Sequence, residues 1–484
     1  MMTPPVLSKR LFATADQEIF AQATGDRNPV HMDPLAARRT QAGFPVVHGM
    51  HTVLWALDTL VRQQFLCSSV KSLKVKFRSL IYVGDTASLL LIRQSDTDLR
   101  TQVVVEGTTA ASITVILGEN RNPAAVSRQL SLQEREAARQ ARIPSVPLDL
   151  SAAEMAGRSG WLSFAHPPEE IAPLFPFISK AIGASQIAAL ACLSMLVGME
   201  CPGLHSIFAS LDVDLAGGEG PTALHYAVDS VDTRYNLVKQ TVFGGGLTGS
   251  VEAFARTPPS EQPAIAEVAQ WVKPREFAES DALVIGGSRG LGELTAKIIA
   301  AGGGRVTVTY AVGKADAEKV ATEIRAFGGA CNLIQYNVCH PAIEQLSVLT
   351  THSRTLYYFA TGTISGRKSR FFSGARFNSF IDFYVLGFFD LCTNLLSQGD
   401  RQLTAFYPSS VFVEERPADM MEYAMAKAAG EILCSYMGRL VPGLRTVIHR
   451  LPRLATDQTA SVMSVETASA LAVLLPVVRE VEAE

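Results

Sequence analysis

The stretch FAQATGDRNPVHMDP, residues 20–34, places a carboxylate at Asp26 and an imidazole at His31, with Asn28 and Pro29 between them. A carboxylate and an imidazole at fixed separation can move protons near neutral pH. Proline fixes its own φ and restricts the residue before it, so Asn28-Pro29 stiffens the loop. The plainer alternative is an N-capping Asp or Asn beside a loop histidine. A second reactive group lies in FYPSSVFVEERPADMMEYAMAKAAGE, where Tyr423 and Lys427 are one helical turn apart and Ser410 stands 13 residues before Tyr423. A phenol with a reference pKa of about 10 is a poor acid or base near neutrality, and an ammonium one turn away is expected to shift it downward.

Three segments must position these residues. The first has a helix around Asp16 to Gln22, the polar loop, an apolar helix from about Met50 to Gln64, and then β-branched strands with a turn at Gly84-Asp85. The second repeats that order, with the long apolar helical stretch FPFISKAIGASQIAALACLSMLVGMECPG followed by strands, which reads as a degenerate internal repeat. The third alternates six short apolar strands with helices, the pattern of a doubly wound α/β sheet. Its first strand runs into GGSRGLGELTAKIIAAGG, where Gly286, Gly290 and Gly292 form GxxxGxG between a strand and a helix. Such a loop lets the backbone approach a pyrophosphate and aims a helix N-terminus at its charge, so Gly286, Ser288, Arg289, Gly290, Leu291 and Gly292 are the expected dinucleotide contacts.

The 484 residues, 48% hydrophobic and 18% charged, suit several packed cores rather than disorder. Polar or proline-rich stretches divide the chain into 1–125, a linker 126–160, 161–256, a linker 257–278, and 279–484. A net charge of −3 with no Lys/Arg-rich run gives no footprint for nucleic acid. Seven cysteines (Cys67, Cys192, Cys201, Cys331, Cys339, Cys392 and Cys434) lack CxxC or zinc spacing, so a reducing cytoplasm is expected and no metal. His51, one turn from His48, offers an imidazole pair but no third ligand. No signal peptide or membrane-spanning run of about 18 apolar residues is expected.

FAQATGDRNPVHMDP and the later FPVVHGMHTVLWAL resemble the MaoC-like, (R)-specific enoyl-CoA hydratases of the hot-dog fold, over about residues 10–118. The resemblance implies that Asp26 and His31 add or remove water across an enoyl thioester, while the Gly49 backbone N–H meets the thioester oxygen. It also implies a double hot dog whose second half lacks these strings and completes the sheet, with His205 structural. Lys74, Lys76 and Arg78 on one strand face are either solvated or available to coenzyme A phosphates.

The glycine loop with Ser410, Tyr423 and Lys427 resembles the short-chain dehydrogenase/reductase family. This implies that Ser410 holds a carbonyl oxygen while Tyr423 donates a proton and a nicotinamide a hydride, Tyr423 and Lys427 also touching the cofactor. Arg289, and the lack of an aspartate after VTVTY, favour NADP(H) over NAD(H). Two departures stand out: Phe359-Ala360-Thr361-Gly362 replaces the usual NNAG, and Tyr384 stands where many members have asparagine.

The expected fold is thus an α+β double hot-dog unit followed by an α/β Rossmann domain. The expected activity is reversible interconversion of 3-oxoacyl, (R)-3-hydroxyacyl and trans-2-enoyl thioesters of coenzyme A or acyl-carrier protein, in a homo-oligomer. Three alternatives remain: a hydratase with an impaired reductase-like domain, a reductase acting on an unrelated carbonyl such as a sugar or polyketide intermediate, and a non-catalytic acyl-carrier-binding scaffold.

Overall fold

Strands with alternating burial build the first unit, Met1–Pro258. The computed structural model describes residues 4–66, 69–118, 130–215, 222–345, 353–364, 372–397, 402–457 and 467–483. Cys67 and positions 126–129 of the expected first linker lie outside the described residues.

Five strands, β1 (Val6–Leu11), β2 (Val70–Phe77), β3 (Thr86–Gln94), β4 (Asp98–Val105) and β5 (Thr108–Leu117), precede β6 (Ser159–Ser163), β7 (Ser206–Leu215), β8 (Ala223–Asp232), β9 (Leu237–Gly244) and β10 (Leu247–Ala255). They form one antiparallel sheet in the order β1-β3-β4-β5-β2-β7-β10-β9-β8-β6. Read inward from each edge, both halves follow the same sequence of strands. At the seam Leu73 pairs with Val213 and Val75 with Leu211.

Each half carries a buried helix. Gly49–Arg62 is apolar on nearly every face and is buried from Met50 to Leu57, as expected of a helix surrounded by sheet and a second helix. Its counterpart Ala184–Met195 packs against it. The long helical stretch expected around this counterpart is broken. Pro176–Ile182 ends at Gly183, whose φ of +98° no helix accommodates, and Ala184–Met195 runs into one wide turn, Leu196–Glu200.

Neither expected linker is a plain tether. The first contains helices Leu132–Arg139 and Ala152–Met155, and β6 begins inside it at Ser159. The second buries Ile265, Val268, Val272 and Phe277 in the core of the second unit, because four apolar side chains among its prolines find that core.

The second unit comprises Pro259–Ala460 and Val465–Glu484. Strands β11 (Asp281–Ile285), β12 (Arg305–Tyr310), β13 (Ala330–Gln335), β14 (Thr355–Tyr358), β15 (Leu403–Ser410) and β16 (Leu444–Leu451) match the six expected runs. They form a parallel sheet in the order β13-β12-β11-β14-β15-β16. The order in which strands are added reverses between β11 and β14, the switch point where such sheets hold ligands at strand C-terminal ends. The helical run Gly374–Leu396 is long and apolar enough to cross a membrane, yet Phe380, Tyr384, Phe388 and Leu391 on it pack into this core.

Candidate active sites

Helix Thr14–Thr24 ends at Gly25, whose φ is +78° and where a Cβ would lie 2.8 Å from Met195 Sδ. A glycine is required there on both counts. The turn buries Asp26, and the Asn28 side chain accepts from Val30 N–H at 3.1 Å to cap the short helix Pro29–Met32. Asn28 Nδ2 also donates to the carbonyls of Gly198 at 2.7 Å, Gly203 at 3.2 Å and Leu204 at 3.3 Å. The first half's loop is thereby fastened to the second half.

His31 Nδ1 lies 2.7 Å from the Val46 carbonyl, which makes it the N–H of a neutral ring and leaves Nε2 with its lone pair. Its ring stacks on His48 at 3.8 Å. His48 Nε2 in turn donates to the Asp26 carbonyl at 3.1 Å. The Gln17 amide oxygen accepts from the His48 backbone N–H at 3.1 Å, fixing the start of helix Gly49–Arg62. Among the described residues, the ligand atoms of Asp26, His31 and His48 lie within 4.8 Å of one another. His51 is outside this cluster, stacked on Phe20.

Asp26 Oδ2 accepts from Ser194 Oγ at 2.6 Å, and Oδ1 from Asn28 N–H at 3.3 Å. Burial raises the Asp26 carboxyl above its ordinary range, against the pull of His31, Ser194 and Asn28. Burial lowers His31 likewise, opposed by Asp26 and the Val46 carbonyl. Both shifts move the pair toward its uncharged forms. Asp26, His31 and Gly49 line one cavity with Val47, Phe77 and Ile81. At Gly49 a Cβ would meet the Phe77 ring at 3.0 Å, so glycine lets that ring close over the first N–H groups of the helix.

In the second unit, β11 ends in the glycine loop. Gly286 has φ +73° and Gly290 φ +60°, and a Cβ on Gly292 would lie 2.4 Å from the Gly286 carbonyl oxygen. Thr309 holds the loop, its hydroxyl and carbonyl accepting from the N–H groups of Gly286 and Gly287, each at 3.1 Å. Ser288, Arg289 and Leu291 are half-buried around the start of helix Gly290–Ala301. The loop fits a dinucleotide: its backbone is bare where a pyrophosphate would lie. Arg289 Nη1 pairs with Asp457 Oδ2 at 3.1 Å.

Ser410 ends β15, where its hydroxyl accepts from Phe412 N–H at 3.2 Å and its side chain lies near enough to Tyr423 on helix Met421–Leu440 to oppose the effect of burial on the phenol. Lys427 departs from expectation. Its Nζ donates to the Pro408 carbonyl at 2.7 Å and lies 3.9 Å above the Tyr384 ring, against 5.9 Å from the Tyr423 ring. Burial pushes Lys427 down to about 7 and Tyr423 up to about 12. The downward shift expected for Tyr423 is therefore reversed, because burial desolvates both groups and the Tyr384 ring packs against the Lys427 ammonium. The Tyr384 hydroxyl bonds that of Thr361 in the altered Phe359–Gly362 stretch.

Residues 3–114 match the model of the MaoC like domain, and residues 280–443 that of the short chain dehydrogenase family. The chain carries both domains. The half-sheet wrapped on Gly49–Arg62 is the hot-dog fold, and the second unit is Rossmann-like. Among curated relatives, the peroxisomal hydratase-dehydrogenase-epimerase of Saccharomyces cerevisiae is 27% identical over 90 residues, 19% of this chain and 10% of that protein. The mitochondrial 3-hydroxyacyl-[acyl-carrier-protein] dehydratase of Arabidopsis thaliana is 36% identical over 78 residues, 16% of this chain and 45% of that protein. The 3-hydroxyacyl-thioester dehydratase Y of Mycobacterium tuberculosis is 30% identical over 108 residues, 22% and 37% of the two chains. The chain thus spans less than half the length of each. Among solved structures, a short-chain dehydrogenase/reductase variant from Serratia marcescens aligns at 19% identity and TM-score 0.38, covering 43% of this chain and 92% of that one. One from Burkholderia cenocepacia in complex with NADP aligns at 21% and 0.36, covering 42% and 91%.

Within the MaoC-like half, the loop residues come together as expected. Sequence reasoning missed the second half's share: Ser194 bonds the carboxylate, and a Cβ on Gly198 would lie 2.3 Å from Asp26 Oδ1. The available signal was one serine and one glycine, four residues apart, in the apolar run LSMLVGME. Lys74 is taken up by Asp212 at 2.8 Å across the seam, and Arg78 by Ser112 at 3.2 Å. In the reductase-like domain Ser410 and Tyr423 meet, while the lysine is drawn aside.

Proposed function

We propose that the protein is a bifunctional acyl-thioester enzyme, reducing a 3-oxoacyl thioester with NADP(H) to the (R)-3-hydroxyacyl form and interconverting that with the trans-2-enoyl thioester. The observation that carries the reading is the Asp26–His31 pair: a buried carboxyl and an imidazole whose Nδ1 is taken by a backbone carbonyl line one cavity beside a helix N-terminus. In dehydration His31 Nε2 takes the α proton, the electron pair forms the double bond, and Asp26 gives its proton to the departing β hydroxyl, which leaves as water. The Gly49 N–H faces the thioester oxygen as charge grows there. Hydration is the reverse, and no step needs a metal.

In the second domain Gly286, Ser288, Arg289, Gly290, Leu291 and Gly292 would hold the dinucleotide, together with Tyr423 and Lys427. When bound, it would supply a hydride for the carbonyl carbon. Ser410 holds the carbonyl oxygen and Tyr423 gives it a proton. The absence of an acid after β12 supports NADP(H), with Arg289 exchanging Asp457 for the 2′-phosphate. The matching strand order of the two half-sheets supports a double hot dog. Exposed Ile432, Tyr436 and Leu440 on helix Met421–Leu440 support a homo-oligomer. The six described cysteines are free, in keeping with a cytoplasmic location. Acyl-CoA or acyl-carrier-protein thioesters are the substrates, and no nucleic acid is involved.

Purified protein is assayed with crotonyl-CoA for loss of the enoyl thioester band, and with acetoacetyl-CoA for NADPH oxidation. Both activities are expected. Cofactor binding without ketoreduction selects the second reading, an impaired reductase, which the Tyr384–Lys427 contact favours. Two flat assays across carriers and chain lengths select a scaffold.

A further inference from the structure

The cavity of the MaoC-like domain contains a cation that the chemistry above does not use. Arg256 follows β10, lines the cavity and is only 7% exposed. One nitrogen, Nη2, donates to the Leu204 carbonyl at 3.0 Å. Among the described residues that is its one side-chain hydrogen bond, no carboxylate pairs with it, and the side chain lines the cavity. The group stays charged at neutral pH, lowered by burial to about 10. A buried guanidinium without a carboxylate partner is costly, and it is favoured when a ligand brings the anion.

The rest of the wall is largely apolar, including Val30, Val47, Phe77, Ile81, Ile207 and Phe208. Arg256 shares this cavity with Asp26 and His31, and its charge pushes the His31 imidazole further toward the neutral form. An anion held by Arg256 in this cavity sits near the reacting carbons. Phosphates of coenzyme A or of a carrier arm lie a whole pantetheine length from the thioester sulfur, so they are too distant to be the partner. The acyl group itself is the source that reaches.

We propose that Arg256 binds a carboxylate on the acyl chain, so that the hydratase site selects a dicarboxylic acyl thioester over a plain fatty acyl one. The planar fork of arginine takes two carboxylate oxygens at once. This rests on the acyl-thioester reading of the cavity.

The test is calorimetric binding of two unreactive thioesters of equal carbon number, glutaryl-CoA and pentanoyl-CoA, to the full-length chain. Glutaryl-CoA is expected to bind about tenfold more tightly, the worth of one charge-assisted hydrogen bond. Arg256→Met should abolish that ratio, and Arg256→Lys, which keeps the charge, should retain part of it. Equal affinities in the unchanged protein overturn the proposal without needing any variant to fold, as does a ratio that survives Arg256→Met. Crotonyl-CoA hydration, measured in parallel on the unchanged protein, separates the two ideas: its absence with the binding ratio intact sinks only the hydratase reading.

Discussion

Ser194 Oγ holds Asp26 Oδ2 at 2.6 Å, and that hydrogen bond stabilises the carboxylate against the cost of burial. Ser194→Ala should let the Asp26 carboxyl rise further, so the Asp26 limb of the pH profile for crotonyl-CoA hydration moves to higher pH. A fall in rate with unmoved limbs would show that the serine acts only on position. Gly198 presses on the same carboxylate from the other side. A Cβ there would stand 2.3 Å from Oδ1, so Gly198→Ala should displace the acid and cost about a hundredfold in kcat/KM for hydration. A near-normal rate would mean that the wide turn at Leu196–Glu200 yields instead. Asp26, Asn28 and His31 were readable because they share one short loop. Ser194, Gly198 and Arg256 were not, since the carboxylate meets its serine 168 positions away and only the folded sheet joins them.

Helix Met421–Leu440 and the run Gly374–Leu396 meet at Lys427, where Tyr384 lies flat beneath the ammonium. The YxxxK spacing correctly put Tyr423 and Lys427 on one helix, but the facing run decides what the lysine touches. Tyr384→Asn should admit water to Nζ, raise Lys427 from about 7 and lower Tyr423 from about 12. Ketoreduction needs the protonated phenol, so the alkaline limb of NADPH oxidation should then move to lower pH. An unmoved limb would show that the cage leaves Tyr423 unaffected. Removing the buried ring should also cost about 3 kcal/mol of stability, readable as a lower denaturant midpoint. The six strands of the second unit were legible from their apolar runs. The break at Gly183 was not, because a glycine in an apolar run does not announce its sign of φ.

Over the whole chain, the first unit carries a cluster of dry histidines whose charge state links folding to pH. Burial lowers His51 from 6.5 to about 3, and lowers His31 and His48 in the same direction. A depressed folded value means that this stability is present above about pH 6.5 and is lost as pH falls toward 3. Asp26, raised in the folded state, opposes this in sign. His51→Phe, which keeps a ring against Phe20, should flatten the fall of the first unit's urea midpoint between pH 6.5 and 4. An unchanged slope would place the titration elsewhere. The central claim is that one chain holds two sequential chemistries at separate residues. Mass spectrometry of thioesters formed from acetoacetyl-CoA and NADPH tests it most directly. The unchanged protein should yield both 3-hydroxybutyryl-CoA and crotonyl-CoA, Asp26→Asn should stop at the hydroxyacyl thioester, and Tyr423→Phe should form neither. Crotonyl-CoA formed by Asp26→Asn at the unchanged rate, or hydroxyacyl thioester formed by Tyr423→Phe at the unchanged rate, would contradict it.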